Sequence, residues 1–332
     1  MLDSNEKNPR LGQDICCTTE EVRQSLDVRS CKVSGSTKII GLLGHPVSHS
    51  LSPRMQNAAF DHCGFDICYI PFDVHPSELG TAMAAIRALG LLGANITVPH
   101  KIRAAEMVDH LSPEAQACNA INTVTNVEGC LTGYNTDVQG ILDAINHDAG
   151  ISLKNKTAIV AGAGGAARAA VHAMVKAGCS KIIVVNRTFS KASDLCRAAK
   201  QSMSKLAPEK SAHEEREPIQ NVPELIPGNL LELESIVNFF NFDVFINATS
   251  LGLVEETNPF PQLMNLRGKP LICDLVYTPK GTPLIQEASS RGFPTVGGRS
   301  ILVWQGAKSF ELWTGHEAPI EHMKRAVSFD PL

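Results

Sequence analysis

Gly162-Ala163-Gly164-Gly165-Ala166-Ala167 stands between a continuous apolar run, Thr157 to Ala161, and an alanine-rich stretch with helical periodicity. No other feature of the chain limits its fold as strongly. A bare Gly-x-Gly is common, but one that closes a strand and opens a helix is where backbone amides and a helix N-terminus receive a pyrophosphate. Gly162 and Gly164 permit the tight turn and the close approach of backbone to ligand, with Ala163, Gly165 and Ala166 completing the cradle. Ala167 takes the third glycine position, where helix packs close to strand. Beyond the loop, Ala166, Ala169, Ala170, Ala173, Met174 and Ala177 share one helical face before Gly178 stops the pattern. The competing reading is an ordinary glycine-rich turn.

Strand and helix patterns alternate on both sides of that loop. From Lys38 the chain reads IIGLLG, PRMQNAAFDHCG, CYIPFDV, a helix near PSELGTAMAAIRALG, and GANITV; from Lys156 it reads TAIVAG, the helix, KIIVVN, FDVFINA and PLICDLV. This rhythm predicts an α/β fold with largely parallel sheets covered by helices. Residues 1–36 show little periodicity and are expected to form a flexible extension. The polar segment 200–233, with its prolines and the run Glu214-Glu215-Arg216-Glu217, is expected to be a surface excursion.

With 332 residues, 43% of them hydrophobic, the chain can build two medium domains, each with its own core. A net charge of −4 with scattered Lys and Arg gives no long-range attraction for nucleic acid or an anionic membrane. No apolar run approaches the roughly 20 residues that span a bilayer. The opening MLDSNEKNPR is unlike a signal peptide, so the cytoplasm is the expected compartment. Ten cysteines with no C-x-x-C pair predict reduced, mostly buried thiols and no metal site. Oligomeric state is left open, a homodimer included.

The end of the strand after the glycine loop decides between dinucleotides. An NAD enzyme usually places a carboxylate there for the ribose hydroxyls; this chain has Asn186-Arg187-Thr188, with Lys191 beyond. A guanidinium grips a 2′-phosphate that a carboxylate would repel. NADP is therefore the expected cofactor and Arg187 its main selector, with NAD the less favoured alternative. The plain reading is that Arg187 caps a strand end in solvent.

Polar residues also gather at strand ends of the first half. Ser50-Leu51-Ser52-Pro53 stands at a strand-to-helix junction, where Ser52 as N-cap with Pro53 at the first helical position explains the sequence without function. Two hydroxyls at a helix N-terminus also suit a carboxylate. Lys101 follows GANITV at the carboxyl end of a strand, where open α/β sheets bind ligands. Asn135-Thr136-Asp137 opens a helix, and Asn122 lies in the apolar stretch NAINTV. Oxidising an alcohol requires removal of the hydroxyl proton as hydride leaves, for which a lysine–aspartate pair is sufficient.

The stretches GHPVSHSLSPRMQNAAF, GANITVPHK, NAINTV, GYNTD, AGAGGAARA, VVNRTFSKA, FINATSLG, DLVYTPKGTPL and ILVWQGAKSFELWTG together resemble the shikimate dehydrogenase family, including its shikimate/quinate branch. The resemblance runs in order from about residue 38 to 317. It implies two domains: an N-terminal, mostly parallel α/β substrate domain over 37–135 and 302–332, and a C-terminal Rossmann-like dinucleotide-binding domain over 136–301. A C-terminal helix, about 302–325, would return to complete the first. It implies reversible NADP-dependent reduction of 3-dehydroshikimate to shikimate, a step towards aromatic amino acids. Lys101 and Asp137 would be the catalytic pair. Ser50 and Ser52 would hold the substrate carboxylate; Thr97, Asn122 and Gln305 its ring hydroxyls; and Tyr277 would stand near substrate and nicotinamide. Thr249 and Gly298 would join the glycine loop, Asn186, Arg187, Thr188 and Lys191 on the cofactor side.

The chain departs from that pattern in places. Gly297-Gly298-Arg299-Ser300 replaces Asp-Gly-x-Gly, bringing a cation and a hydroxyl where backbone often lies against the nicotinamide. Val138 replaces the commoner glycine after Asp137. Trp304 and Trp313 read as packing residues, and His45, His49 and His100 are assigned no chemistry. Quinate as preferred substrate is the nearest alternative, and a non-catalytic metabolite and dinucleotide sensor the remote one; retention of Lys101 and Asp137 argues against the sensor.

Overall fold

A computed structural model describes residues 33–206, 222–254, 256–266, 268–278 and 280–328. Within 33–36 the Ser34 and Ser36 hydroxyls lie 2.8 Å apart in a short turn. The remainder of the expected extension, and 207–221 of the polar segment, lie outside the described residues. From Thr37 onward the chain is built on two six-stranded sheets.

The first sheet draws on β1 (Lys38–Gly44), α1 (Ser52–Cys63), β2 (Ile67–Asp73), α2 (Leu79–Ala88), β3 (Gly93–Ile96), α3 (Lys101–Ala104), β4 (His110–Leu111), α4 (Pro113–Cys118), β5 (Thr123–Val127) and β6 (Cys130–Tyr134). Its strand order is β2-β1-β3-β5-β6-β4. β1 pairs parallel with both β2 and β3, and the last five residues of β1 are buried, as a strand covered on both faces must be. β5 runs antiparallel to β3 and to β6, a hairpin the βαβ reading did not anticipate. Its two loop residues, Glu128 (φ 52°) and Gly129 (φ 86°), both adopt the left-handed conformation of a type I′ turn, which matches strand twist.

α5 (Thr136–Ala144) leads into β7 (Thr157–Ala161), α6 (Gly165–Lys176), β8 (Lys181–Asn186), α7 (Phe189–Leu206), β9 (Glu224–Asn229), α8 (Leu233–Phe239), β10 (Val244–Asn247), β11 (Leu271–Asp274), α9 (Pro283–Ser290) and β12 (Thr295–Val296). The order β12-β11-β10-β7-β8-β9 is parallel throughout and reverses direction at β7, so the crevice beyond the carboxyl ends opens there. β9 corrects the sequence reading, which left these residues in a surface excursion. Pro227 and Gly228 mask it, and a strand containing proline survives only at a sheet edge, where β9 lies. α6 buries Ala167, Ala169, Ala170, Val171, Ala173, Met174 and Val175, a broader face than the predicted one, while Ala166 and Ala177 are only half-buried.

The chain returns through α10 (Gly298–Thr314) and α11 (Ile320–Val327), two helices rather than the expected single one. Gly315, at φ 70°, ends α10 with a left-handed cap. Ile301 packs into the core of the second sheet, whereas Leu302, Val303, Ala307, Phe310 and Trp313 belong to the core of the first. Phe310 stacks on Phe60 with ring centroids 5.2 Å apart, and the Trp313 indole donates to the Val124 carbonyl at 2.9 Å. α5 crosses α10 at close range, because Gly140 has no side chain: a Cβ there would lie 2.6 Å from that of Gln305. Of the seven described cysteines, all free, Cys118, Cys179, Cys196 and Cys273 are buried. Among the described residues no helix is long and apolar enough to cross a membrane.

Candidate active site

Three segments of the first sheet end at one place. The Ile121 amide donates to the Lys101 carbonyl at 2.9 Å, the Asn122 amide to Tyr134 at 2.9 Å, and the Ile96 amide to Asn122 at 2.8 Å. This lashing sets the start of α3 beside the start of α5. Lys101 Nζ and Asp137 Oδ2 form an ion pair whose side chains are 15% and 11% exposed. Asn122 Nδ2 donates to the second Asp137 oxygen at 2.8 Å and also lies 2.8 Å from Thr136 Oγ1 and 3.1 Å from Gln305 Oε1. A pair this far out of water persists only when its remaining valences are satisfied, which Asn122 does for the carboxylate. An ammonium so held can give a proton to, or take one from, an oxygen brought against it.

Ser50 and Ser52 lie at the mouth of α1, but not as expected. Ser52 is the first helical residue and Pro53 the second, with Leu51 at the N-cap and no side-chain cap; the Ser52 amide instead donates to Ser50 Oγ at 3.3 Å. Ser52 is buried and Ser50 half-buried. Tyr277, from the loop after β11, reaches across from the other sheet to the Ser50 side chain and the Leu51 backbone, and its burial there raises its hydroxyl pKa above the ordinary tyrosine value. Thr97 is half-buried at the end of β3, its amide donating to Leu43 at 2.9 Å. Gln305 projects from α10 onto Asn122.

Behind these residues runs a buried polar chain that sequence reasoning did not pick out. The Tyr69 hydroxyl, beside Ser52, donates to Asn95 Oδ1 at 2.7 Å. Asn95 Nδ2 reaches Thr123 Oγ1 at 3.0 Å and Ser309 Oγ at 3.2 Å, and Ser309 lies 3.2 Å from Thr136 Oγ1. The available signal was an amide in the middle of the apolar strand GANITV, since a buried amide must find partners. Val138 points away from the site into the core of the second sheet.

The glycine loop fits a dinucleotide. Gly162 has φ 119°, and a Cβ there would stand 2.7 Å from the Ala248 carbonyl, whereas Gly164 is exposed with open space over its Cα. α6 starts at Gly165 with no side-chain cap, so its first amides face outward. Gly162→Ala is expected to cost about 1–3 kcal/mol and to weaken NADP binding, read by thermal unfolding and by titration; unchanged curves would contradict this assignment. Arg187, Thr188 and Lys191 are exposed beyond β8, and Asn186 Nδ2 donates to the Thr188 carbonyl at 3.0 Å. Among the described residues, neither Arg187 nor Lys191 is paired with a carboxylate. Thr249 Oγ1 donates to Asn247 Oδ1 at 2.7 Å, beside Gly162. Gly298 lies against the Val276 carbonyl, 2.4 Å from where its Cβ would be. The hydroxyl of Ser300 is engaged by Asp148, which also accepts from the Trp304 indole at 3.3 Å. Trp304 is half-buried, packs against the core of the second sheet and stacks on His147 with ring centroids 4.6 Å apart, as a packing residue does.

The two halves meet at the lysine: a Cβ on Gly165 would lie 3.1 Å from Lys101 Cβ, so the stem of Lys101 rests on the glycine loop while its ammonium holds Asp137. Comparison with known proteins agrees with this plan. The family model for the shikimate dehydrogenase substrate binding domain matches residues 42–124, that for shikimate / quinate 5-dehydrogenase matches 144–215, and that for the shikimate 5'-dehydrogenase C-terminal domain matches 298–327. A shikimate dehydrogenase (NADP(+)) of Desulforamulus reducens is 38% identical over 300 residues, covering 90% of this chain and 97% of that one. The chain belongs to the shikimate dehydrogenase family. Among solved members, the Thermus thermophilus shikimate 5-dehydrogenase in complex with NADP(H) and shikimate is 33% identical with a TM-score of 0.72, covering 88% of this chain and 98% of that one. A quinate dehydrogenase from Corynebacterium glutamicum in complex with NAD is 26% identical with a TM-score of 0.74, covering 87% and 98%.

Proposed function

We propose that this family member catalyses the reversible NADP-dependent reduction of 3-dehydroshikimate to shikimate. The observation that supports it most is the Lys101–Asp137 pair, buried, braced by Asn122 and resting on the glycine loop. When bound, NADPH supplies the hydride for the ketone carbon; the residues of the chain place the substrate and handle the proton. The Lys101 ammonium gives a proton to the substrate oxygen in reduction and recovers it in oxidation, while Asp137 keeps that ammonium oriented. Ser50 and Ser52 receive the substrate carboxylate, and Thr97, Asn122 and Gln305 hold ring hydroxyls. Tyr277 closes over the site from the other sheet. Gly162 to Ala166, Thr249 and Gly298 cradle the dinucleotide, and Asn186, Arg187, Thr188 and Lys191 receive its 2′-phosphate end.

In this reading 37–135 and 302–332 form the substrate domain and 136–301 the NADP domain, in the cytoplasm. The change of core along α10, between Ile301 and Leu302, supports the second of these boundaries. Quinate is the second reading, favoured by the shikimate / quinate family match. Quinate carries an extra hydroxyl, so one or two hydrogen bonds decide between the substrates. Initial rates with shikimate and quinate, each against NADP and NAD, separate these readings: shikimate with NADP should be fastest, and absence of turnover in all four mixtures would overturn the proposal.

A further inference from the structure

Asp274 is fully buried at the end of β11, and the chemistry above does not use it. Burial pushes its carboxyl up to about 6, yet three donors converge on it. Asn247 Nδ2, from the end of the neighbouring β10, and the Val276 amide each donate to Oδ1, at 2.9 and 3.0 Å. The Thr282 hydroxyl, which caps the start of α9, donates to Oδ2 at 2.6 Å. Val276 and Thr282, on either side of Tyr277 in the sequence, are thereby held by one carboxylate. Tyr277, next to the Val276 amide, is the residue of that segment that crosses to Ser50.

The same carboxylate reaches a second loop through Asn247, whose Oδ1 accepts from the Thr249 amide at 3.1 Å and its hydroxyl at 2.7 Å. Ala248 and Val276 are the residues whose carbonyls crowd Gly162 and Gly298. We infer that Asp274 is a positioning residue that sets Tyr277 over the substrate carboxylate end. This rests on the functional reading above, because it assigns Tyr277 a place at the substrate. An apolar side chain at 274 would suffice to fill the space; a carboxylate, with an acceptor on each oxygen, takes the donors of both Val276 and Thr282.

The chain contains three tyrosines, Tyr69, Tyr134 and Tyr277, so uniform 3-fluorotyrosine labelling gives a fluorine spectrum in which each is resolved, whether or not the protein turns over. In Asp274→Asn the amide nitrogen offers no acceptor to the buried Thr282 hydroxyl, whose proton loses its partner, and the Tyr277 resonance should shift or broaden while those of Tyr69 and Tyr134 stay in place. Thr282→Val, in case the first variant does not fold, should move the same resonance, and Thr282→Ser should restore it. With shikimate as substrate, Asp274→Asn should raise KM about tenfold and leave the KM for NADP within about twofold, equivalent to about 1.4 kcal/mol at the substrate alone. A Tyr277 resonance unmoved in both Asp274→Asn and Thr282→Val overturns the inference, as does an equal rise in both KM values. A wild-type protein without turnover sinks the functional reading instead, and the fluorine spectrum then still decides whether Asp274 positions Tyr277.

Discussion

Lys101→Ala should lower turnover of shikimate with NADP by about 10²–10⁴-fold, the loss that follows removal of a positioned acid–base group. The side chain sits where two functions overlap: in the proposed mechanism its ammonium carries the proton, and its stem lines the glycine loop at Gly165. The variant also strands Asp137 as a buried charge, which by itself costs about 3–5 kcal/mol when a partner is removed. Stability and chemistry therefore have to be separated. The double variant Lys101→Ala, Asp137→Asn removes the stranded charge, so its melting temperature should recover relative to the single variant while its turnover stays low. A Lys101→Ala protein turning over at the wild-type rate would remove the lysine from the mechanism.

The second large effect is expected at the far end of the cofactor. Arg187 stands exposed past β8 with no carboxylate paired to it among the described residues, and Lys191 lies one helical turn further on. Charge-assisted hydrogen bonds to a phosphate contribute about 1.5–3 kcal/mol each, so Arg187→Ala should reduce kcat/KM for NADP by about 10–100-fold. The value for NAD should hardly change, because the two dinucleotides differ only in that phosphate. Initial rates with both cofactors check this, and an unaltered ratio of NADP to NAD turnover in the variant would show that Arg187 is a strand-end residue in solvent.

The parts of the molecule that could be read from sequence are those fixed by local pattern. The glycine loop between a buried strand and an alanine-rich helix, and the strands IIGLLG, GANITV and KIIVVN, are each set by side-chain periodicity within a dozen residues. The parts that escaped depend on tertiary context. β9 reads as a loop because of Pro227 and Gly228, and only its place at the sheet edge makes it a strand. The hairpin turn Glu128-Gly129 lacks the usual Asn or Asp at its first position. Ser300, expected to crowd the nicotinamide, is drawn to Asp148, a partner 152 residues away that no local pattern announces.

The candidate site shows the same division. Lys101, Asp137, Asn122 and Gln305 were named from motifs, and the structure brings their side chains into one cluster. Tyr69, Asn95, Thr123 and Ser309, which form the polar chain behind them, were not, because a single polar residue on a core-facing position is indistinguishable in sequence from a tolerated one. Ser52 was placed one position early, at the cap instead of inside the first turn, an offset within the ordinary uncertainty of helix ends.

A crystal structure of the protein with shikimate and oxidised NADP bound tests the account most directly. It should place Lys101 Nζ within about 2.6–3.2 Å of the substrate hydroxyl that is oxidised, with Asp137 on the same oxygen or on the ammonium, and the reacting carbon about 3–3.5 Å from the nicotinamide ring. Lys101 turned away from the substrate, or the dinucleotide lying anywhere other than across the loop at Gly162 to Ala166, would contradict it.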